Sequence, residues 1–167
     1  MLGQRTEPQK KIYLGVSQGS LIRSIKDGDR ETFSYIDGTI EEIYRKERFF
    51  NGQPALFWYI DIRDGEELYS LSLPYSSGVF KSIILSLASD KSLNKLTPVR
   101  LEFYLGQNGY TKVQVFSEGI KLDWITKQLP TTEERMIGGK VIRDDTKRME
   151  YISSLTDEIN RRLKDTE

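Results

Sequence analysis

Apolar residues recur at every second position through much of the first 120 residues, and at every third or fourth position in two segments. Lys11 to Val16 mixes β-branched and aromatic residues and reads as a strand. Ser17-Gln18-Gly19-Ser20 is a turn, and Leu21 to Ser24 returns as the second arm of a hairpin. Lys26 to Arg30 is a polar loop. Phe33 to Tyr44 is strand-like, with Asp37-Gly38 marking a bulge or sharp coil. Arg45 to Pro54 reads as a loop of unusual content. Leu56 to Arg63 is the clearest strand of the chain. Asp64-Gly65 follows as a hairpin signal, and Leu68 to Leu73 is the partner, ended by Pro74. Ser76-Ser77 offers an N-cap to a helix whose stripe is Val79, Phe80, Ile83, Ile84, Leu87 and Ala88, ending near Ser89-Asp90. Val99 to Leu105 and Tyr110 to Phe116 alternate again, joined by Gln107-Asn108-Gly109. Ile120 to Leu129 has no clear period. Thr131 to Asp144 is polar and irregular, with Gly138-Gly139 as a flexible joint. Met149, Ile152, Leu155, Ile159 and Leu163 then define an amphipathic helix over about 145–163, which Asp145 is placed to cap.

The order strand, strand, strand, helix, strand, strand is that of a five-stranded OB-fold, a mainly β Greek-key barrel with a helix between its third and fourth strands. The hairpin at 11–24 and the C-terminal helix are additions to it. The expected organisation is a flexible lead-in at 1–10, a barrel domain at 11–125, and an extension at 126–167.

Composition narrows the chemistry. The 167 residues contain no Cys and no His. That removes thiolate zinc sites, disulfides, cysteine nucleophiles, imidazole acid–base catalysis and the Ser-His-Asp triad. The 25 basic and 25 acidic residues cancel, and no third of the chain is strongly polarised. Any cationic surface must be made by folding or by a short cluster. The longest apolar run, Ala55 to Ile60, is far below a membrane span, so no membrane partner is expected and a cytoplasmic location is.

Three sets of residues carry candidate chemistry. On the strand at 56–63 one face is apolar (Leu56, Trp58, Ile60, Ile62), while the other shows Phe57, Tyr59, Asp61 and Arg63. Rings beside cations suit single-stranded nucleic acid, because bases stack on rings at about 1–3 kcal/mol each while cations follow phosphates. The competing reading packs Phe57 and Tyr59 beneath a loop or the C-terminal helix. The strands at 99–105 and 110–116 add Tyr104, Tyr110 and Lys112, which also suit an ordinary solvated face. The segment Arg45-Lys46-Glu47-Arg48-Phe49-Phe50 is the densest basic and aromatic cluster. It falls where an OB-fold has its first inter-strand loop, a usual nucleic-acid contact. Its alternative is a Phe plugging the barrel end with solvated charges around it. Asp61, Asp64, Glu66 and Glu67 invite comparison with a Mg²⁺ nuclease site. Turn chemistry and a solvated rim explain three of the four, so neither metal nor cofactor is expected. Gly138-Gly139-Lys140 lacks the spacing of a phosphate loop.

The segments Gly19-Ser-Leu-Ile-Arg23, Ile36-Asp-Gly-Thr-Ile40, Trp58-Tyr-Ile-Asp-Ile-Arg-Asp-Gly-Glu-Glu-Leu-Tyr69 and Leu71-Ser-Leu-Pro-Tyr75 together resemble the OB-fold single-stranded-DNA-binding proteins of tailed phages and related mobile elements. The resemblance covers about residues 11–120. It departs at the end of the chain, where such proteins often carry a strongly acidic tail and this one is only slightly acidic. The resemblance implies a non-enzymatic protein that binds single-stranded DNA, RNA not being excluded, and protects it in replication or recombination. Its site would comprise Arg45, Lys46, Arg48, Phe49, Phe50, Phe57, Tyr59, Arg63, Tyr104, Tyr110 and Lys112. The second expectation is a protein-interaction module that uses the barrel and the C-terminal helix to form a homo-oligomer or to engage a replication protein.

Overall fold

A computed structural model describes Leu2 and residues 10–165, with the side chains of Lys26 and Phe50 outside the described set. The expected lead-in at 1–10 therefore lies almost wholly outside the described residues.

The strands are β1 (Lys11–Ser17), β2 (Ser20–Ser24), β3 (Arg30–Phe33), β4 (Tyr35–Phe50), β5 (Gln53–Asp64), β6 (Glu67–Pro74), β7 (Val99–Leu105), β8 (Thr111–Ser117), β9 (Ile120–Lys121), β10 (Glu133–Ile137) and β11 (Lys140–Asp144). The helices are α1 (Gly78–Ser89) and α2 (Thr146–Lys164). Nine strands form one sheet in the order β3-β2-β1-β6-β5-β4-β7-β8-β9, and β10-β11 stands apart as a hairpin. The chain is mainly β, as expected.

The meander β4-β5-β6, the helix α1, and the return of β7 to pair antiparallel with β4 follow the expected order. The five strands β6-β5-β4-β7-β8 have β6 and β8 as their edges, so closure of a five-stranded barrel would require those two to pair. They do not. The β6 edge is taken by β1 in parallel, with Lys11 opposite Leu68 and Leu14 opposite Leu71. The result is a longer sheet that curls into a half-barrel. Its two wings meet where the β1–β2 turn packs on β7. The Gly19 amide donates to Thr111 Oγ1 at 2.9 Å. A Cβ on Gly19, whose φ is +80°, would lie 2.6 Å from the Leu105 nitrogen. Gly38 makes the matching close approach on β4, where a Cβ would fall 2.4 Å from the Arg63 carbonyl oxygen. The expected irregularity near Asp37-Gly38 lies two residues on, as a register shift between Ile40 and Glu42.

Three local expectations are corrected. Residues 45–54 are not a loop: β4 and β5 run on as one long hairpin to Asn51-Gly52. Both turn residues have positive φ (51° and 78°), which only a two-residue turn of this chemistry accommodates easily. Residues 131–144 are not irregular, because Gly138-Gly139 (φ 59° and 79°) turns β10 into β11. Asp145 stands at the N-cap of α2 as expected, but its side chain makes no capping hydrogen bond; Asp144 Oδ1 accepts from the Thr146 amide at 2.9 Å instead.

The core lies between the sheet and the two helices. Trp58 stacks on Phe80 at 4.5 Å and on Tyr75 at 5.9 Å, and its Nε1 donates to the Tyr75 carbonyl. The α2 stripe of Met149, Ile152, Leu155, Ile159 and Leu163 is buried in the same cluster as Ile83, Ile84 and Leu87 of α1. Burying each such side chain contributes about 1.5–3 kcal/mol. Two polar clamps fix α2. Asn160 pairs with both backbone groups of Ile43 on the β4 edge, accepting from its amide at 3.0 Å and donating to its carbonyl at 2.7 Å. Arg162 donates to the Ala88 and Asp90 carbonyls, satisfying groups the end of α1 leaves open.

Candidate functional site

Period-two alternation gives the sheet a second face. Trp58, Ile60 and Ile62 of β5 point to the helices, so Phe57, Tyr59 and Asp61 point away from them. Across the ladder Tyr44 lies opposite Tyr59 and Lys46 opposite Phe57, while Ser72 and Ser70 of β6 face Tyr59 and Asp61. β1 brings Lys11 and Tyr13 to the same side, with Tyr13 opposite Ser70. Of these, Lys11, Tyr13, Tyr44, Lys46, Tyr59 and Ser72 line a groove of about 980 Å³.

The floor of the groove is a tight network. Tyr44 and Tyr59 stack at 5.4 Å with 12° between planes. The Lys11 ammonium donates to the Tyr44 hydroxyl at 3.0 Å and to Asp61 Oδ2 at 2.9 Å, and Tyr44 donates to Asp61 Oδ1 at 3.2 Å. Asp61 is only 4% exposed, so burial of its charge is offset by these two donors. The hydrogen bond to Tyr44, then that to Asp61, holds Lys11 protonated well above the ordinary lysine range, against a smaller opposing effect of burial. Ser70, opposite Asp61, is fully buried, and its hydroxyl has no hydrogen-bond partner among the described residues.

The walls are cationic. Among the described lining residues are Lys10, Lys11, Arg23, Lys46 and Arg48, with Glu67 as the acidic one. Arg48 lies over the Phe57 ring at 4.6 Å, a cation–π contact that holds the guanidinium beside an aromatic face. Tyr13, 59% exposed, is the open ring of the rim. A molecule of zero net charge thus concentrates positive charge and rings in one depression.

The structure brings together Lys46, Arg48 and Tyr59 of the residues expected from sequence, with the half-buried Phe57 beside them. Tyr59 is 5% exposed and serves as a backing for Tyr44 rather than an open platform. Arg45 is on the opposite face, its guanidinium over Trp58 at 5.4 Å, and the exposed Phe49 shares that face. Arg63 sits at the other end of β5 in an ion pair with Glu41, which raises its pKa. Tyr104, Tyr110 and Lys112 belong to the β7–β8 hairpin and do not line the groove. The Phe50 side chain lies outside the described residues. Sequence reasoning missed Lys11, Tyr13 and Tyr44. The alternation of Lys11, Tyr13 and Gly15 against Ile12, Leu14 and Val16 was the available signal, but the parallel docking of β1 on β6 was not legible in it.

Among the described residues no group of three or more acidic, Cys or His side chains is placed to hold a metal ion. No helix among them is long and apolar enough to cross a membrane. No family model, curated protein or solved structure matches this chain.

Proposed function

We propose that this protein binds single-stranded DNA non-enzymatically along the groove between β1 and β4. The observation that carries this reading is the gathering of Lys10, Arg23, Lys46 and Arg48 around Tyr13 and Tyr44 in a molecule with no net charge. Single strands need both elements: a cationic track for phosphates, and rings on which unpaired bases stack. Tyr13 offers an accessible face, and Tyr44 is stiffened by Tyr59 stacked on it. We read the half-barrel as an OB-type barrel whose closing edge has been taken by the β1–β2 hairpin. On that reading it belongs with the phage-type single-strand binders that protect DNA in replication or recombination in the cytoplasm.

Fluorescence titration with oligo-dT, oligo-rU and duplex DNA at several salt concentrations tests the proposal. Preference for single strands and loss of affinity with salt are expected. Equal affinity for duplex, or no response at low salt, would overturn it. Tyr13→Ala should weaken binding by about 1–3 kcal/mol if the ring stacks a base.

A second reading, a protein-assembly module, draws on the β10–β11 hairpin, where Met136, Ile137, Val141 and Ile142 are all exposed. The α2 stripe does not favour it, being spent inside the molecule.

A further inference from the structure

A second cavity, of about 300 Å³, opens at the mouth of the half-barrel. It is lined by the rings of Phe33, Tyr35 and Tyr69, the aliphatic Leu14, Leu21 and Ile36, and the charged Arg23, Asp37 and Asp64. Barrel mouths are common ligand sites, and this volume is at the lower end of the range for small-molecule pockets, roughly 300–1,000 Å³. The cavity and the groove share Leu14, Arg23 and Tyr69, so the two depressions meet at Arg23.

The polar groups sort themselves. Asp37 is engaged by Arg100 through a two-pronged contact at 2.6 and 2.8 Å, and Arg100 also covers Tyr35 at 4.2 Å. That leaves Asp64 as a carboxylate and Arg23 as a guanidinium facing a space walled by rings. Resting on the groove reading, we propose that the barrel mouth is a guanine pocket that receives one unstacked base from the strand lying in the groove.

The choice of base follows from donor and acceptor patterns. A carboxylate wants two adjacent donors, and a guanidinium wants two adjacent acceptors. Guanine alone of the four DNA bases has both: N1–H beside N2–H on one edge, O6 beside N7 on another. Adenine and cytosine set an acceptor beside their amino group and turn a lone pair against the carboxylate. Thymine has a single donor flanked by carbonyls. The rings supply the stacking walls that an unstacked base requires.

The test uses the full chain and oligo-dT strands in which one central thymidine is replaced by deoxyguanosine or deoxyadenosine. The readout is the ratio of affinities between substituted and unsubstituted strands. A guanine-containing strand should bind roughly five- to a hundredfold tighter than oligo-dT, and the adenine-containing strand should not share the gain. Asp64→Asn should bring the guanine ratio close to one, because the amide turns a donor toward guanine's own donors. Asp64 is the last paired residue of β5, opposite Glu67, and the turn itself is Gly65-Glu66, so this variant leaves both turn residues in place. A ratio near one for the unmodified protein overturns the pocket while leaving the groove intact. So does a guanine preference that survives Asp64→Asn. Failure of oligo-dT to bind at all overturns the groove, and a guanosine response measured separately by tyrosine fluorescence then decides the pocket on its own.

Discussion

Removing Lys46 and Arg48 together should change how binding responds to salt more than it changes anything about the fold. Both side chains are exposed on the outer half of β4, so Lys46→Ala with Arg48→Ala removes no core contact. Of the five cations lining the groove, Lys11 is already neutralised by Asp61 at 2.9 Å. With oligo-dT, which offers no guanine to occupy Arg23, the other four, Lys10, Arg23, Lys46 and Arg48, are available to phosphates. Each contact to a single strand contributes about 0.7 to the slope of log K against log salt, which puts the unmodified slope near −2.8. Raising salt from about 50 to 200 mM then weakens binding roughly 50-fold. With two contacts removed the slope falls to about −1.4 and the same change in salt weakens binding only about sevenfold. Arg45→Ala is the internal control, because that guanidinium lies over Trp58 on the far face. Titration of oligo-dT at four salt concentrations reads both slopes. An unchanged slope in the double variant, or an equal fall in Arg45→Ala, would refute the assignment of phosphates to this groove.

Other expectations concern stability. Asn160→Ala leaves both backbone groups of Ile43 without their partner and should destabilise by about 1–3 kcal/mol, read as a lower urea midpoint; an unchanged midpoint would mean that α2 does not depend on the clamp. Ile159→Ala empties a fully buried position and should cost about 2–5 kcal/mol, so a loss below about 1 kcal/mol would argue that α2 packs loosely. Asp90 gives a pH dependence. Burial opposes its charge, but hydrogen bonds from Ser117 and Ser92, with Arg162 nearby, hold its carboxyl below the ordinary value of 3.8. Its contribution is therefore complete above the unfolded pKa and is lost as pH falls through the lower folded one. Thermal melts from pH 6 downward should show Asp90→Asn with a shallower acid loss than the parent, and parallel curves would contradict the linkage.

Much of the fold is visible in the chain. The alternation at 56–62, the Ser77 cap and the stripes of both helices each state a local rule that the structure obeys, and the hairpin signalled by Asp64-Gly65 forms with its turn one residue on, at Gly65-Glu66. The errors share a cause. Arg45 to Pro54 reads as a loop because four charged residues stand in a row, yet the outer end of β4 has both faces in solvent and accepts charge at every position, and Asn51-Gly52 is the turn signal. Residues 131–144 are polar in the same way, and there Gly138-Gly139 is the turn. The site was half legible. Lys46, Arg48, Tyr59 and Phe57 came from the face of one hairpin, whereas Lys11 and Tyr13 joined them through a parallel pairing across more than 50 residues of sequence, which no local pattern encodes. Parity also could not tell that Tyr59 would lie beneath Tyr44.

The clamp between Asn160 and Ile43 joins positions 117 residues apart, and it bears on the order in which the molecule assembles. The meander from β4 to β6 closes over short loops and can form early. The β4 edge near Ile43 and the end of α1 keep open hydrogen-bonding groups until α2 arrives. An intermediate that pauses there bears an unpaired strand edge beside an uncovered apolar stripe, the combination that seeds edge-to-edge association. The pace at which α2 docks thus sets how long the chain is vulnerable to aggregation, and slow docking would show as concentration-dependent loss of refolding yield.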